Sequence, residues 1–194
     1  MKVAIVKYNA GNTASVENAL YRLGVTPVIT DDADLLSNAD KVIFPGVGEA
    51  SSAMSHLRKN CLDKLIIDLK QPVLGICLGM QLMCKSSEEN DTNCLGIFES
   101  KVNRFNSSTQ KVPHVGWNTV SQLKSGLFRG INSEDYFYFV HSYYVETNLH
   151  SIAETVYGLS FAAAIQKDNF YGVQFHPERS GETGAKLLQN FLEL

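Results

Sequence analysis

Long apolar runs are absent. Nowhere in the 194 residues is there a stretch near the roughly 18 consecutive apolar positions that a membrane-spanning helix needs. Lys2-Val3-Ala4-Ile5-Val6 reads as a strand rather than a leader, so a cytoplasmic location is the default expectation. A surplus of basic charge is missing too. The 17 Lys and Arg against 20 Asp and Glu leave a formal net charge of -3, which argues against nucleic acid or an anionic membrane as partner. Cysteine is scarce: Cys61, Cys77, Cys84 and Cys94 include no Cys-x-x-Cys pair and no His at finger spacing, so neither a disulfide framework nor structural zinc is expected. His56, His114, His141 and His150 carry no metal spacing either, and no metal or cofactor is expected. Repeats, low-complexity tracts and linkers are also lacking, which predicts one domain over residues 1–194.

What is present suits a well-buried globular core: 44% of residues are hydrophobic and 19% charged. Strand-like runs at Lys2 to Tyr8, Val25 to Thr30, Lys41 to Pro45 and Pro72 to Cys77 alternate with helical patterns. One helix carries Val16, Ala19, Leu20 and Leu23 on a face and stops at Gly24, and helical segments run from about Glu49 to Leu69. This alternation predicts an open, mostly parallel, doubly wound α/β sheet of the flavodoxin-like kind. Ser86 to Asn93, polar and rich in Asn and Asp, reads as a surface loop. Beyond it the chain turns β-rich, with strands at Leu95 to Phe105, Tyr136 to Glu146, Ile152 to Tyr157 and Phe161 to Phe175, the last folded at Lys167-Asp168-Asn169. Glu182 to Leu194 closes the chain as an amphipathic helix with Ala185, Leu188, Phe191 and Leu192 toward the sheet.

Two segments carry chemistry. In Gly75-Ile76-Cys77-Leu78-Gly79 a buried strand runs into a helix, the form of a nucleophile elbow. Glycines two residues either side let the backbone pass where a side chain would collide, and the helix N-terminus favours a thiolate on Cys77. The Leu78 N–H then stands ready to hold an oxyanion. Taken alone, Cys77 could equally be an inert core cysteine beside packing glycines. Near the other end, an apolar strand stops at Phe175-His176-Pro177-Glu178. Pro177 ends sheet pairing and keeps His176 extended, so His176 and Glu178 project to one side. A carboxylate there fixes the imidazole tautomer and stabilises the imidazolium formed when the ring takes a thiol proton. A lone His-Pro-Glu is more often a plain turn. It gains weight because both strands can end at the same carboxyl edge of one sheet.

Together, Gly-Ile-Cys77-Leu-Gly-Met-Gln and Phe-His176-Pro-Glu178 resemble the class I, triad-type glutamine amidotransferases. The likeness is closer still to the glutaminase-subunit family of imidazole glycerol phosphate synthases. It is carried by Tyr8-Asn9-Ala10-Gly11-Asn12 with Ser15-Val16, Pro45-Gly46-Val47-Gly48 with Ala53-Met54, Pro113-His114-Val115-Gly116-Trp117-Asn118, and Phe139-Val140-His141-Ser142-Tyr143. The family pattern is departed from at Lys7, Asn9 and Thr13.

The resemblance implies hydrolysis of L-glutamine through a thioester on Cys77, with His176 as base and Glu178 as its orienter. Ammonia would pass to a cyclase subunit in a heterodimer of the histidine pathway. That subunit would convert a phosphoribulosyl-formimino aminoimidazole-carboxamide ribonucleotide to imidazole glycerol phosphate and the aminoimidazole carboxamide nucleotide. By the same likeness Gly46, Val47 and Gly48 complete the oxyanion hole, and Gln81, Ser142 and Tyr143 contact glutamine. Asn12, Trp117, Asn118, Tyr136, Tyr138 and Arg179 would lie toward the partner. Two other readings stay open at this level: a paralogous subunit feeding another synthase, such as one amidinating a surface-polysaccharide sugar, and a non-catalytic flavodoxin-like binding subunit.

Overall fold

The computed structural model describes residues 1–9 and 11–194; Ala10 of the Tyr8 to Asn12 motif lies outside the described residues. The first half runs β1 (Val3–Val6), α1 (Thr13–Arg22), β2 (Val28–Thr30), α2 (Ala33–Ser37), β3 (Lys41–Phe44), α3 (Ala50–Lys59), α4 (Leu62–Asp68), β4 (Val73–Ile76) and α5 (Leu78–Met83). The second half runs β5 (Cys84–Ser87), β6 (Thr92–Asn93), β7 (Phe98–Arg104), β8 (His114–Thr119), β9 (Tyr136–His141), β10 (Tyr143–Val145), β11 (Ser151–Tyr157), β12 (Leu159–Lys167), β13 (Phe170–Val173) and α6 (Gly181–Leu192). Among the described residues no helix is long and apolar enough to cross a membrane.

A seven-stranded sheet in the order β11-β12-β13-β4-β3-β1-β2 forms the frame. β13, β4, β3, β1 and β2 run parallel, while β12 and β11 run antiparallel at one side. β1, β3 and β4 bury both faces, which is why they read as continuous apolar runs, whereas the edge strand β2 leaves Val28 exposed. Val3 and Ile5 pack with α1 and α6 through Val16, Leu20, Leu188 and Phe191. Ala4 and Val6 face the opposite way, against Leu36, Met54, Leu57 and Ile66 of α2 to α4. Gly24, at φ +76°, ends α1 in the left-handed conformation that favours glycine.

Several expectations need correction. The Ser86 to Asn93 segment is not a plain surface loop. It supplies part of β5, a short helical turn at Glu89–Asp91 and β6, the edge strand of a second sheet, β10-β7-β5-β6. Asn/Asp-rich turn chemistry is real there, with Asn90 and Asp91 both at positive φ, but the flanking residues pair. The Tyr136 to Glu146 run is two strands in two sheets, broken at Ser142: β9 pairs with β8 and β10 with β7. The helical segments expected from 49 to 69 are α3 and α4, separated where Cys61 takes φ 56°. α2 escaped notice because it is five residues long, too short for periodicity; its only cue is Asp32, whose carboxylate accepts the Asp34 and Leu35 N–H groups. In α6 the buried residues are Gly184, Leu187, Leu188, Asn190 and Phe191; Leu192 packs partly buried against the same core as expected, while Ala185 is only half-buried.

Candidate active site

β4 and β13 are hydrogen-bonded neighbours with Ile76 opposite Val173, so the residues that follow them emerge together at the carboxyl edge of the sheet. Cys77 stands at φ 52°, ψ -108°, a conformation that L side chains rarely adopt and one that stores strain at functional turns. The flanking glycines have a measurable reason. A Cβ on Gly79 would sit 1.9 Å from the Phe44 carbonyl oxygen, and one on Gly75 would sit 2.8 Å from the Met80 nitrogen. The Cys77 N–H donates to the Val173 carbonyl at 2.8 Å, which ties the elbow to the strand leading to His176.

Around His176 the geometry is firm on one side and open on the other. Nδ1 lies 2.7 Å from Glu178 Oε1, and both side chains are buried. A carboxylate only accepts, so Nδ1 carries the proton and Nε2 is the basic nitrogen. Among the described residues Nε2 has no hydrogen-bond partner of its own. Burial acts to lower the ionisation of His176, but its interactions with Cys77 and Glu178 outweigh that and raise it to about 10. Cys77 Sγ lies 3.9 Å from the Val140 carbonyl oxygen and 3.6 Å from Gln174 Nε2. On the other side of the elbow, burial and the neighbouring Cys77 push the Tyr8 phenol up, and its hydroxyl donates to the Pro45 carbonyl at 2.6 Å.

A cleft of 320 Å³ opens onto the sulfur. Its walls include Val47 and Gly48, Leu78 and Gln81, Ser142 and Tyr143, and His176, so every residue assigned to substrate contact except Gly46 lines it. Gly46 is buried behind it. The Leu78 N–H, assigned to the oxyanion, donates here to the Gly46 carbonyl at 3.3 Å. Gln81 is also more constrained than a contact residue need be. Its Nε2 donates to the Tyr143 carbonyl at 3.1 Å and to Gln174 Oε1 at 2.9 Å, leaving only Oε1 for a ligand.

Two residues of the site were missed in the sequence. Glu89 lines the cleft from the Glu89–Asp91 turn, accepting the Ala50 N–H at 2.8 Å, with burial pushing its carboxyl up. Its signal was hidden because the segment looks like solvated loop. Gln174 is fully buried beside the sulfur. Its signal was legible: a single polar residue within an apolar strand, two before His176 and therefore on the same side.

The residues assigned toward a partner gather less tightly. On the β8–β9 ribbon Trp117 pairs with Tyr138, and Trp117, Tyr136 and Val115 are all more than half exposed. Arg179 is exposed on the turn just after His176. Asn118 is instead tied to β11, donating to the Val156 carbonyl at 2.9 Å. Asn12 caps α1 by accepting the Ser15 N–H at 3.3 Å. Asn9, one of the departures from the family pattern, donates to Ser52 Oγ at 3.0 Å and so links the β1–α1 loop to α3.

Residues 4–194 match the family described as Glutamine amidotransferase class-I. An imidazole glycerol phosphate synthase subunit HisH from Bacteroides fragilis is 59% identical over 196 residues, a match that covers 100% of both chains. The HisH subunit from Haemophilus influenzae is 49% identical and the match covers 100% of this chain and 98% of that one. Among solved structures, a putative GMP synthase subunit from Thermoplasma acidophilum superimposes with a TM-score of 0.77 at 22% identity, covering 100% of this chain and 92% of that one. PurLQS from Thermotoga maritima gives 0.72 at 18%, covering 99% and 97%; both likenesses concern the fold alone. With the family matched over nearly the whole chain and full-length relatives at this identity, the chain belongs to the class I glutamine amidotransferases, and among them to the HisH subunits of imidazole glycerol phosphate synthase.

Proposed function

We propose that the chain is the glutaminase half of an imidazole glycerol phosphate synthase, releasing ammonia at Cys77 for a cyclase subunit docked on the β8–β9 ribbon. One observation carries the chemistry: a buried imidazole has its Nδ1 fixed by a carboxylate at 2.7 Å and its Nε2 unpartnered, beside a cysteine on a strained elbow. Cys77 gives its proton to His176 Nε2 and attacks the side-chain carbonyl carbon of glutamine. His176 returns the proton to the leaving nitrogen, so ammonia departs and a glutamyl thioester remains. Water, deprotonated by the same nitrogen, then releases glutamate.

Glutamine is recognised at its other end by charge. Its ammonium group has two acceptors in the cleft, the Glu89 carboxylate and Gln81 Oε1, and Ser142 and Tyr143 add to the lining. The oxyanion site is closed at rest, since the Gly46 carbonyl occupies the Leu78 N–H. Val47 is held in turn by the Gly11 N–H, 3.2 Å from its carbonyl oxygen. A change in the β1–α1 loop on partner binding would reach the oxyanion segment through that bond. Turning the Gly46 peptide frees Leu78 and supplies a second donor.

The apolar surface formed by Val115, Trp117 and Tyr136 is the docking face. The test is labelling with a glutamine-mimicking diazoketone in the presence of the cyclase. Modification of the peptide containing Cys77 is expected, and modification elsewhere with Cys77 untouched would reject it as the nucleophile.

A further inference from the structure

We infer that Gln174 is a catalytic residue, a locked amide donor that holds the Cys77 sulfur as thiolate. This deepens the reading of Cys77 as nucleophile and rests on it.

The orientation of the donor follows from the far end of a short relay. The Tyr143 carbonyl can only accept, so Gln81 must turn its nitrogen toward it, at 3.1 Å. The second hydrogen on that nitrogen points at Gln174, 2.9 Å away, which must answer with its oxygen. Gln174 is then obliged to present Nε2 to Cys77 Sγ, 3.6 Å away. Flipping either amide would set N–H against N–H or oxygen against oxygen in a buried network, at the cost of stranded polar groups. The backbone holds the relay in place: the Gln174 N–H donates to the Ala163 carbonyl at 2.8 Å. On either side Val173 and Phe175 face the core formed with α1 and α6, leaving Gln174 directed the other way, toward α5 and the elbow.

A fully buried primary amide among apolar neighbours is costly to desolvate, and here its one polar outlet toward the site is the sulfur. An N–H offered to sulfur is a better bond to the anion than to the thiol, so it favours the charged form. The division of labour is then clear. His176 receives the proton, and Gln174 stabilises what the proton leaves behind. The titratable groups that face the sulfur, its base or the cleft between them are His176 and Glu178 on the turn after β13, Tyr8 after β1, His141 at the end of β9, and Glu89 across the cleft lining. Gln174 is uncharged, so its effect persists across the pH range in which those groups titrate.

The experiment is the pH dependence of Cys77 alkylation by iodoacetamide on the full chain, followed by mass spectrometry of the peptide containing Cys77 so that Cys61 and Cys94 do not interfere. Gln174→Met should move the midpoint up by about one to two pH units, the loss expected for one hydrogen bond to a charged group. Gln174→Glu keeps the volume and the bond from Gln81 but puts a carboxylate against the sulfur, so its midpoint should move further than that of Gln174→Met. Rates at the alkaline plateau should not fall, because a thiolate freed of that hydrogen bond is at least as nucleophilic. Two folded variants with the wild-type midpoint would overturn the role of Gln174. If Gln174→Met does not fold, Gln174→Leu takes its place, with the same upward shift expected and a wild-type midpoint overturning the role. Absence of Cys77 alkylation in the wild-type chain at any pH would instead count against the nucleophile itself.

Discussion

His176 and Tyr138 are clamped together at both ends of their peptide groups. The His176 N–H donates to the Tyr138 carbonyl at 2.9 Å, and the Tyr138 N–H donates at 3.0 Å to Ser180 Oγ, which itself donates to the His176 carbonyl at 2.6 Å. Because Tyr138 pairs with Trp117 across the ribbon, His176 is tied to the exposed apolar surface of β8 and β9.

Ser180→Ala breaks that clamp while leaving the triad's own side chains in place. It removes the acceptor of the partly buried Tyr138 N–H and should lower stability by about 1 kcal/mol. Glutamine-dependent turnover should fall while the cyclase reaction with added ammonium is unchanged. Unaltered glutamine-dependent turnover would show that the clamp does not position His176.

The occupied Leu78 N–H predicts a glutaminase that is nearly silent alone. Loss of one oxyanion donor typically costs about 10²–10³ in rate, so the isolated chain should be slower by at least that factor than the complex with cyclase and its nucleotide. Steady-state glutamate release measures this directly, and equal rates would refute a closed oxyanion site.

Trp117 is 55% exposed, so it contributes little to the chain's own core. Trp117→Ala should therefore leave the melting temperature within about 2 °C of wild type. Binding to the cyclase should weaken about 30-fold or more, as for a central aromatic anchor. Calorimetric titration with unaltered affinity would move the interface elsewhere.

His114 and His141 predict the acid limb of stability. Burial pushes them down to about 4 and about 3, so both stay neutral in the fold while the unfolded chain protonates near the ordinary value of about 6.5. Below that pH the unfolded state binds more protons than the native state, and stability falls as pH falls. At pH 5 the loss relative to pH 7 should be about 2 kcal/mol from His141 alone. His176 works in the opposite sense, because its raised value stabilises the fold at low pH. That contribution is complete below about pH 6.5 and is lost as pH rises toward about 10. Urea midpoints at pH 7 and pH 5 should differ less for His141→Gln than for wild type, and an undiminished difference would contradict the assignment.

Much of this was legible in sequence because it rests on local chemistry. The elbow is written in Gly75, Cys77 and Gly79, whose spacing reflects the approach of Phe44 and Met80 backbone. The His-Pro-Glu is likewise written in backbone restriction by Pro177. Gly24 stops α1 and Asp168, at φ 51°, turns the last hairpin, as their residue types suggest. What stayed hidden depends on contacts distant in sequence. Glu89 reaches the cleft only because β5 and β7 pair in a second sheet. The Leu78 N–H is engaged only because β3 and β4 lie side by side. His114 and His141 share a 3.0 Å bond across the β8–β9 ribbon, and β8, containing Gly116 and starting after Pro113, gave little strand signal of its own.

Cys77→Ala tests the whole account in one comparison, made on the complex with the cyclase. Turnover supported by glutamine should vanish, while turnover supported by ammonium should persist at the wild-type rate. Glutamine-dependent product formation by the variant would place the nucleophile on another residue.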